Sequence, residues 1–567
     1  MGKLKKQLIS FGFLLGMACC IPVFTIAQDK ENLDTISIQI VKEYAPTISD
    51  AFKKKKNPSV SDSLHFPTKI SYSVRPEMIP PEFDLEPIPP AKIKGEPLIK
   101  LYKGYVKGGF GSQTTGYGEV FVNQLRSRKG SWGIHGKHLS SAGKIKDVGY
   151  SGYSDSRLNV YGKRFLRKHT LSGGIDYNRN VVHHYGFDAT GIAEDVLDYL
   201  KEPTRQRFGA ITASGRLLSH YRDSAMLNHD IRLRFTNLTD LFNMAENNFV
   251  LMTKVNRYLN SEFLNIDVSV DYNEDRFNKG TDSSLLKTNT LVKISPSIST
   301  SGEKYKFVVG INGMIDIDGS DGALYHFYPR VYFSYMLINE VMVGYCGILG
   351  EIKRQNMRLI SNDNPFVVSM PNILNRDYQM KIFGGLKGEM SSSSSYNISF
   401  NRSKIGNAGF YVNDTSGIGN QFIIVYDNVK YLNIRGEVSL FQRDKLSLHL
   451  LGQYNLYSMD REEHPWHTPQ YELSVTGNYN LQDKILVNAG VFAYGSQYAK
   501  EFGADGLTVK PLKLSGMVDI NVGFEYRYTK KLSLFLKLHN LASVSYYKWN
   551  KYPLQRFNLL GGLTYVF

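Results

Sequence analysis

The chain has 567 residues and a formal charge of +16, from 68 Lys and Arg against 52 Asp and Glu, with 37 Tyr, 31 Phe and 50 Gly. Its length excludes a peptide hormone or disulfide knot, and 42% hydrophobic residues with a mean hydropathy of -0.28 exclude both a polytopic helical membrane protein and disorder throughout. A soluble multidomain protein or a transmembrane barrel remains, since a barrel absorbs far more than the roughly 150 residues of an ordinary domain.

Lys3, Lys5 and Lys6 precede an apolar stretch from Leu8 to Phe24, and Thr25-Ile26-Ala27 offers a small-residue cleavage site. Residues 1–27 read as a secretory signal peptide. A lipoprotein start at Cys19 would want an aliphatic residue where Gly16 stands. Losing these three lysines takes the +16 chain to +13 and removes two of three cysteines, leaving Cys346 alone. Disulfides, and zinc or thiol chemistry built on several cysteines, are thereby excluded.

Residues 28–98 carry ten of the twenty prolines, including Pro80-Pro81 and Pro89-Pro90, plus the run Lys53 to Lys56. This composition predicts an extended segment that does not fold alone. Asp34 to Val41 alternates (Asp34, Thr35, Ile36, Ser37, Ile38), and Tyr44-Ala45-Pro46 follows. Such a patch is either a short strand and turn or a peptide that docks by strand addition, offering its backbone to a sheet edge.

From residue 99 the period becomes two. Leu446, Leu448, Leu450, Tyr454 and Leu456 alternate with Ser447, His449 and Asn455, and Leu532, Leu534, Leu536 and Leu538 alternate with Ser533, Lys537 and His539. The apolar run from Val331 to Gly350 has Asn339 and Glu340 at its middle, and a membrane helix there would bury a charge at about 2.5 to 3.5 kcal/mol. It reads as two strands meeting at a turn. Ten short turns (near 128–130, 167–168, 221–227, 260–261, 298–304, 337–339, 391–395, 442–445, 483 and 528–530) alternate with eleven longer segments, the largest near 142–156, 188–204, 357–375, 408–428, 497–510 and 542–555. Outer-membrane barrels alternate in this way and sandwiches have no reason to. Twenty-one connections predict an all-β, antiparallel transmembrane barrel of about 22 strands over 99–567, with both ends on the periplasmic side.

Phe557, Leu559, Leu563, Tyr565 and the terminal Phe567 share one face, an apolar row ending on an aromatic at the membrane boundary. It resembles the C-terminal signal read by barrel-assembly machinery, which implies that Leu563, Tyr565 and Phe567 carry that signal.

The stretch from Asn540-Leu541 through Tyr546-Tyr547-Lys548-Trp549 to Gly561-Gly562-Leu563-Thr564-Tyr565-Val566-Phe567 resembles the end of TonB-dependent receptor barrels, as does Pro465-Trp466-His467-Thr468-Pro469. Gly104 to Gly111, Asp176 to Gly186 and Tyr44-Ala45-Pro46 resemble plugless receptor-like barrels of Bacteroidota, although Arg556 stands where a Gly is expected. The resemblance implies an outer-membrane receptor or conduit. It also implies that Asp34 to Val41 is similar to a TonB box and that TonB, or a periplasmic or surface lipoprotein, is a partner. Family members hold a globular plug of more than a hundred residues inside the barrel, whereas 28–98 supplies 71 proline-rich residues. A lumen of 22 strands must be filled. Inward-folded loops such as 188–204, 357–375 or 408–428, the N-terminal segment, or a partner protein are the candidates. The chain is then a transport conduit, or the membrane scaffold of an envelope complex.

Catalytic and metal readings are weak. Asp316-Ile317-Asp318-Gly319-Ser320-Asp321-Gly322 lacks the Gly and Glu of a calcium loop and reads as a hairpin turn, while Glu463, His464 and His467, and His183 with His184, read as solvated loop or lumen residues. No Gly-x-Ser-x-Gly, His-Glu-x-x-His or Walker sequence occurs, so no enzyme and no cofactor is expected. An exported chain meets no nucleic acid, so its surplus positive charge is assigned to outer-membrane lipid headgroups or to an anion-favouring lumen, with Arg435, Arg527 and Lys537 out of phase with the apolar rows.

Overall fold

The computed structural model describes residues 101–567 apart from 126, 222–225, 279–283, 320–321, 340, 416–417, 443–444 and 503–508. Twenty-two strands, each antiparallel to its neighbours in the chain, form one sheet that closes on itself. The first strand, Gly104–Gly111, pairs with both Thr115–Asn123 and the last strand, Asn558–Val566. Closure removes the free edges that an open sheet would expose.

The burial pattern separates this barrel from a soluble sandwich. Apolar side chains are the exposed ones, among them Val309, Ile311, Leu534, Leu536 and Leu563, while Thr236, Asn312, Asn397, Ser403 and Asn455 are buried on the opposite face. A water-soluble sheet would bury the first set and expose the second. An apolar exterior around a polar interior is the solution for a sheet in lipid, where every backbone group must be satisfied within the sheet.

The seam shows why its sequence is glycine-rich. Gly108 and Gly109 lie opposite Leu563 and Gly562, and a Cβ on Gly562 would come within 2.1 Å of the Gly108 carbonyl oxygen. Larger residues would hold the strands apart. Beyond the strand, Phe567 accepts from the Lys103 amide at 2.7 Å and donates its own to Gly104 at 3.0 Å.

Ten short connections line one rim, together with Leu101 and Phe567, and eleven line the other. The expected strand number and alternation are both found, and Val331 to Gly350 does form two strands, Gly322–Ile338 and Met342–Lys353, meeting at a turn. Several boundaries shift. The expected loop 408–428 is mostly strand, since Ser394–Asn413 and Phe422–Gln442 go on pairing with each other past the point where their other neighbours stop and leave only 414–421 between them. The expected loops also hold unforeseen structure: helices Glu194–Leu200 and Met357–Asp363, and a ribbon of Gln497–Phe502 with Val509–Leu514. The signal-peptide reading of 1–27 and the strand-addition patch of 28–98 lie outside the described residues.

Candidate functional site

Several loops of the long-loop rim fold onto one another and onto the inner wall, beginning with 354–375. This segment leaves the strand at Arg354, whose guanidinium reaches across the inner wall. Its Nε donates to Asp271 Oδ1 at 3.1 Å and its Nη2 to the Asp271 carbonyl at 2.6 Å, and Nη1 bonds the Asn289 side chain. At the far end of the loop Asn375 donates to the same Asn289 oxygen at 3.0 Å and accepts the Gln355 amide at 3.2 Å. One arginine and one asparagine therefore pin both ends of the loop to the wall.

Between these pins the chain turns into the barrel. Asn356 caps helix Met357–Asp363 by accepting the Leu359 amide at 3.1 Å, and the buried Glu246 carboxylate accepts the Met357 amide at 2.5 Å. The orphan amides of the first turn are thus satisfied by a cap and by a wall residue. Met357, Ile360 and Val367 then pack against Phe208, Ala210, Leu238 and Met244. These four sit at lumen-facing positions, where a water-filled channel would carry polar groups.

A second cluster joins this loop to the others. The Phe366 ring stacks on Tyr552 with centroids 3.8 Å apart, Tyr185 meets Tyr552 edge-on at 4.8 Å, and Phe422 packs against Trp549 and Tyr552. Backbone bonds lock the contact, with Phe422 donating to the Phe366 carbonyl at 3.0 Å and Val368 donating to the Phe422 carbonyl at 2.9 Å. The Tyr552 hydroxyl bonds the Asn420 carbonyl, and the Asn420 amide donates to the His184 carbonyl at 2.7 Å. Burial raises the Tyr185 and Tyr552 phenols well above their ordinary range, so both stay neutral donors. Loops 184–204, 354–375, 414–421 and 540–557 meet here as one cap.

Beside the cap lies an open groove of about 770 Å³, walled by Val148, Phe187, Leu200, Ile418, Tyr547 and Pro553, with Asp147, Asp188 and Lys551 at its polar points. Its volume lies in the range of small-molecule sites, but it is broadly open to solvent and mainly apolar. Among the described residues no three His, Cys, Asp or Glu side chains cluster as a metal site.

The inner wall below carries charge. Lys537 and Lys137 both lie over the Tyr117 ring, at 5.3 and 6.0 Å, and Lys107 lies 4.3 Å over Phe535. Glu525 lies 4.0 Å from Lys107, and Glu119 on the same wall is taken up by Tyr105, Tyr117 and His135. Arg435, Arg527 and Lys537 all fall on the lumen side of their strands, as their phase implied, but Arg435 is bonded to Glu437 and Arg527 lies 3.9 Å from Asp483.

Other expected residues fare differently. Leu563, Tyr565 and Phe567 all point outward and are 51%, 48% and 41% exposed. Asp34, Thr35, Ile36, Ile38, Tyr44 and Pro46 lie outside the described residues. His183, His184 and His467 are not solvated or lumenal as expected but buried among the loops, because aromatic side chains from distant loops cover them. The apolar residues at lumen phase, Phe208, Ala210, Leu238 and Met244, were the available sign of the inward loop.

No protein-family model matches the chain, and no curated protein matches it in sequence. Solved structures do. The pyoverdine outer membrane receptor FpvA from Pseudomonas aeruginosa PAO1 aligns at a TM-score of 0.62 and 13% identity, covering 82% of this chain and 78% of its own. The FrpB iron transporter from Neisseria meningitidis aligns at 0.63 and 9%, covering 83% and 82%, and the siderophore receptor PirA from Acinetobacter baumannii at 0.61 and 12%, covering 82% and 80%. Cap, groove and lumen are thus built on the barrel fold shared by these receptors and this transporter.

Proposed function

We propose that this chain is an outer-membrane conduit of receptor type whose mouth is held shut by its own loops, with the long-loop rim outside the cell and both ends of the barrel in the periplasm. A small ligand meets the groove at the rim, and the cap must release before anything enters the lumen. The observation that carries the reading is the inward course of 354–375, pinned by Arg354 and packed on lumen-facing apolar residues. A barrel serving only as an anchor needs no such hinged fit at its mouth. Iron and siderophores are named for the solved structures similar to this one, and they are the first ligands to test here.

The test is conductance in planar bilayers. Intact protein should be nearly silent, and deletion of 358–372 should produce large, steady pores. Equal conductance from both would overturn the gated conduit. Two further roles rest on the N-terminal segment: Asp34 to Val41 engages TonB, or residues 28–98 tether a periplasmic or surface lipoprotein partner. The tether is favoured by the ten prolines of that segment, which suit a ligand better than a domain.

A further inference from the structure

His467 sits in the left-handed region, with φ of 53°, between three other segments of the rim. Its amide donates to the Tyr498 carbonyl at 2.8 Å, its Nδ1 lies 2.9 Å from the Tyr411 carbonyl, and its Nε2 lies 3.1 Å from the Asn550 amide nitrogen. These partners fix the ring's state. A carbonyl can only accept, so Nδ1 carries the hydrogen, and a backbone N–H can only donate, so Nε2 must be bare. The Asn550 side chain extends the contact to Asn413 at 3.1 Å and Glu501 at 3.3 Å. On either side of Asn550, Trp549 packs on Phe422, and Tyr552 on Phe366. Lys551, between them, is also left-handed, with φ of 67°. Backbone in that region is retained where its surroundings hold it, and here both ends of one hydrogen bond adjoin it.

We propose that His467 is an acid-released latch of the mouth: a proton on Nε2 sets N–H against N–H, expels the Asn550 amide, and frees segment 547–553 from the aromatic cluster that closes the barrel. The inference rests on the cap being a gate. Charged groups on the surrounding elements are otherwise engaged. Glu462 pairs with Lys500, Glu501 holds Asn550, Lys551 bonds the Ile418 carbonyl, Lys548 lies over Trp549, and Asp363 acts on Tyr411. His464 stacks on Tyr498 and lies 3.5 Å from Glu463, and Asp427 accepts the Arg461 and Glu462 amides. None of them offers the protonated ring an acceptor.

Burial holds the His467 imidazole down at about 4, against about 6.5 when solvated, the Tyr411 carbonyl opposing only in part. Its folded value is lowered, so the closed latch keeps its full stability only above the open-state value of about 6.5 and weakens as pH falls from there, by about 150-fold in the closing equilibrium at pH 4. His184 is the competing acid sensor, being buried with an unpartnered Nδ1 and likewise held down at about 4.

Two of the three tryptophans, Trp466 and Trp549, report on this site. With Trp132→Phe as background, full-length protein in detergent should show a reversible red shift and greater acrylamide quenching on acidification, with a midpoint between pH 4 and 6.5. Replacing His467 by Gln, which can satisfy both partners without titrating, should abolish the transition, whereas His184→Gln should leave it. No transition above pH 4, persistence in His467→Gln, or loss only in His184→Gln would each overturn the latch. If His467→Gln fails to assemble, Asn413→Cys with Asn550→Cys in a Cys346→Ser background, bridged by a short bis-methanethiosulfonate, should lose the transition and regain it on reduction. A transition unmoved by the bridge also overturns the latch. Bilayer conductance at pH 5 separates the two levels: a fluorescence change without conductance would retain the latch and refute the gate.

Discussion

The backbone amide of Met357 donates to the carboxylate of Glu246 at 2.5 Å, joining the inward loop to the barrel wall across 111 positions of sequence. The same carboxylate lies 3.4 Å from the Arg358 amide, so one wall residue receives the first turn of the helix. Glu246→Leu should leave those buried donors without an acceptor, at about 1–3 kcal/mol each, and weaken the closed mouth. Frequent channel openings in planar bilayers should follow, while Glu246→Gln, which keeps an acceptor, should stay near the silent wild type. Silence in the Leu variant would show that the loop does not depend on this contact.

Val367 is fully buried among Phe208, Leu238 and Met357. Val367→Asp should place an unpaired charge in that cluster, which the loop escapes by leaving the wall. The barrel itself should survive, with unchanged heat-modifiable mobility, while a large-scaffold antibiotic excluded from wild-type cells gains entry. Unaltered antibiotic sensitivity would refute the loop as the barrier.

A tag after Tyr199, which is 75% exposed on helix Glu194–Leu200, should be labelled on intact cells. One after Lys530, in the turn between Met517–Arg527 and Leu532–His539, should be labelled only after permeabilisation. The reverse pattern would invert the barrel. A tag at Ser361 is not a surface probe, because that residue is buried in the inward loop.

Deleting Phe567 removes the three backbone hydrogen bonds to Lys103 and Gly104 that finish the seam, along with an outward aromatic side chain. Outer-membrane insertion should fall and the chain should become sensitive to periplasmic protease. Full heat-modifiable mobility in the membrane fraction would argue against a role in closure or recognition.

Ile36→Pro separates the two roles of the N-terminal segment. Proline blocks strand pairing at that position. Loss of a proton-motive-force-dependent uptake would establish the TonB reading, whereas loss of a co-purifying protein with uptake unchanged would establish the tether.

The barrel was legible in the sequence because its determinants are local. A period of two places Leu534 and Leu536 on one face and Phe535 and Lys537 on the other whatever the rest of the chain does, and turn residues mark each reversal. That physics yields the strand number, the alternation of turns and loops, and the lumen side of Arg435, Arg527 and Lys537. It also leaves the polarity of the buried face visible, with Asn397, Asn455 and Thr236 in phase with one another. What a loop does is set instead by partners far away in sequence. Asn420 reaches His184 across 236 positions, Tyr185 reaches Pro553 across 368, and neither meeting has a periodicity to read. Thus the burial of His467 among Tyr411, Phe422, Trp549 and Asn550, and the inward course of 354–375, were decided only when the closed sheet brought those loops to one rim. A hairpin turn needs only its own residues, while the mouth of a barrel is a surface shared by loops from the whole circumference.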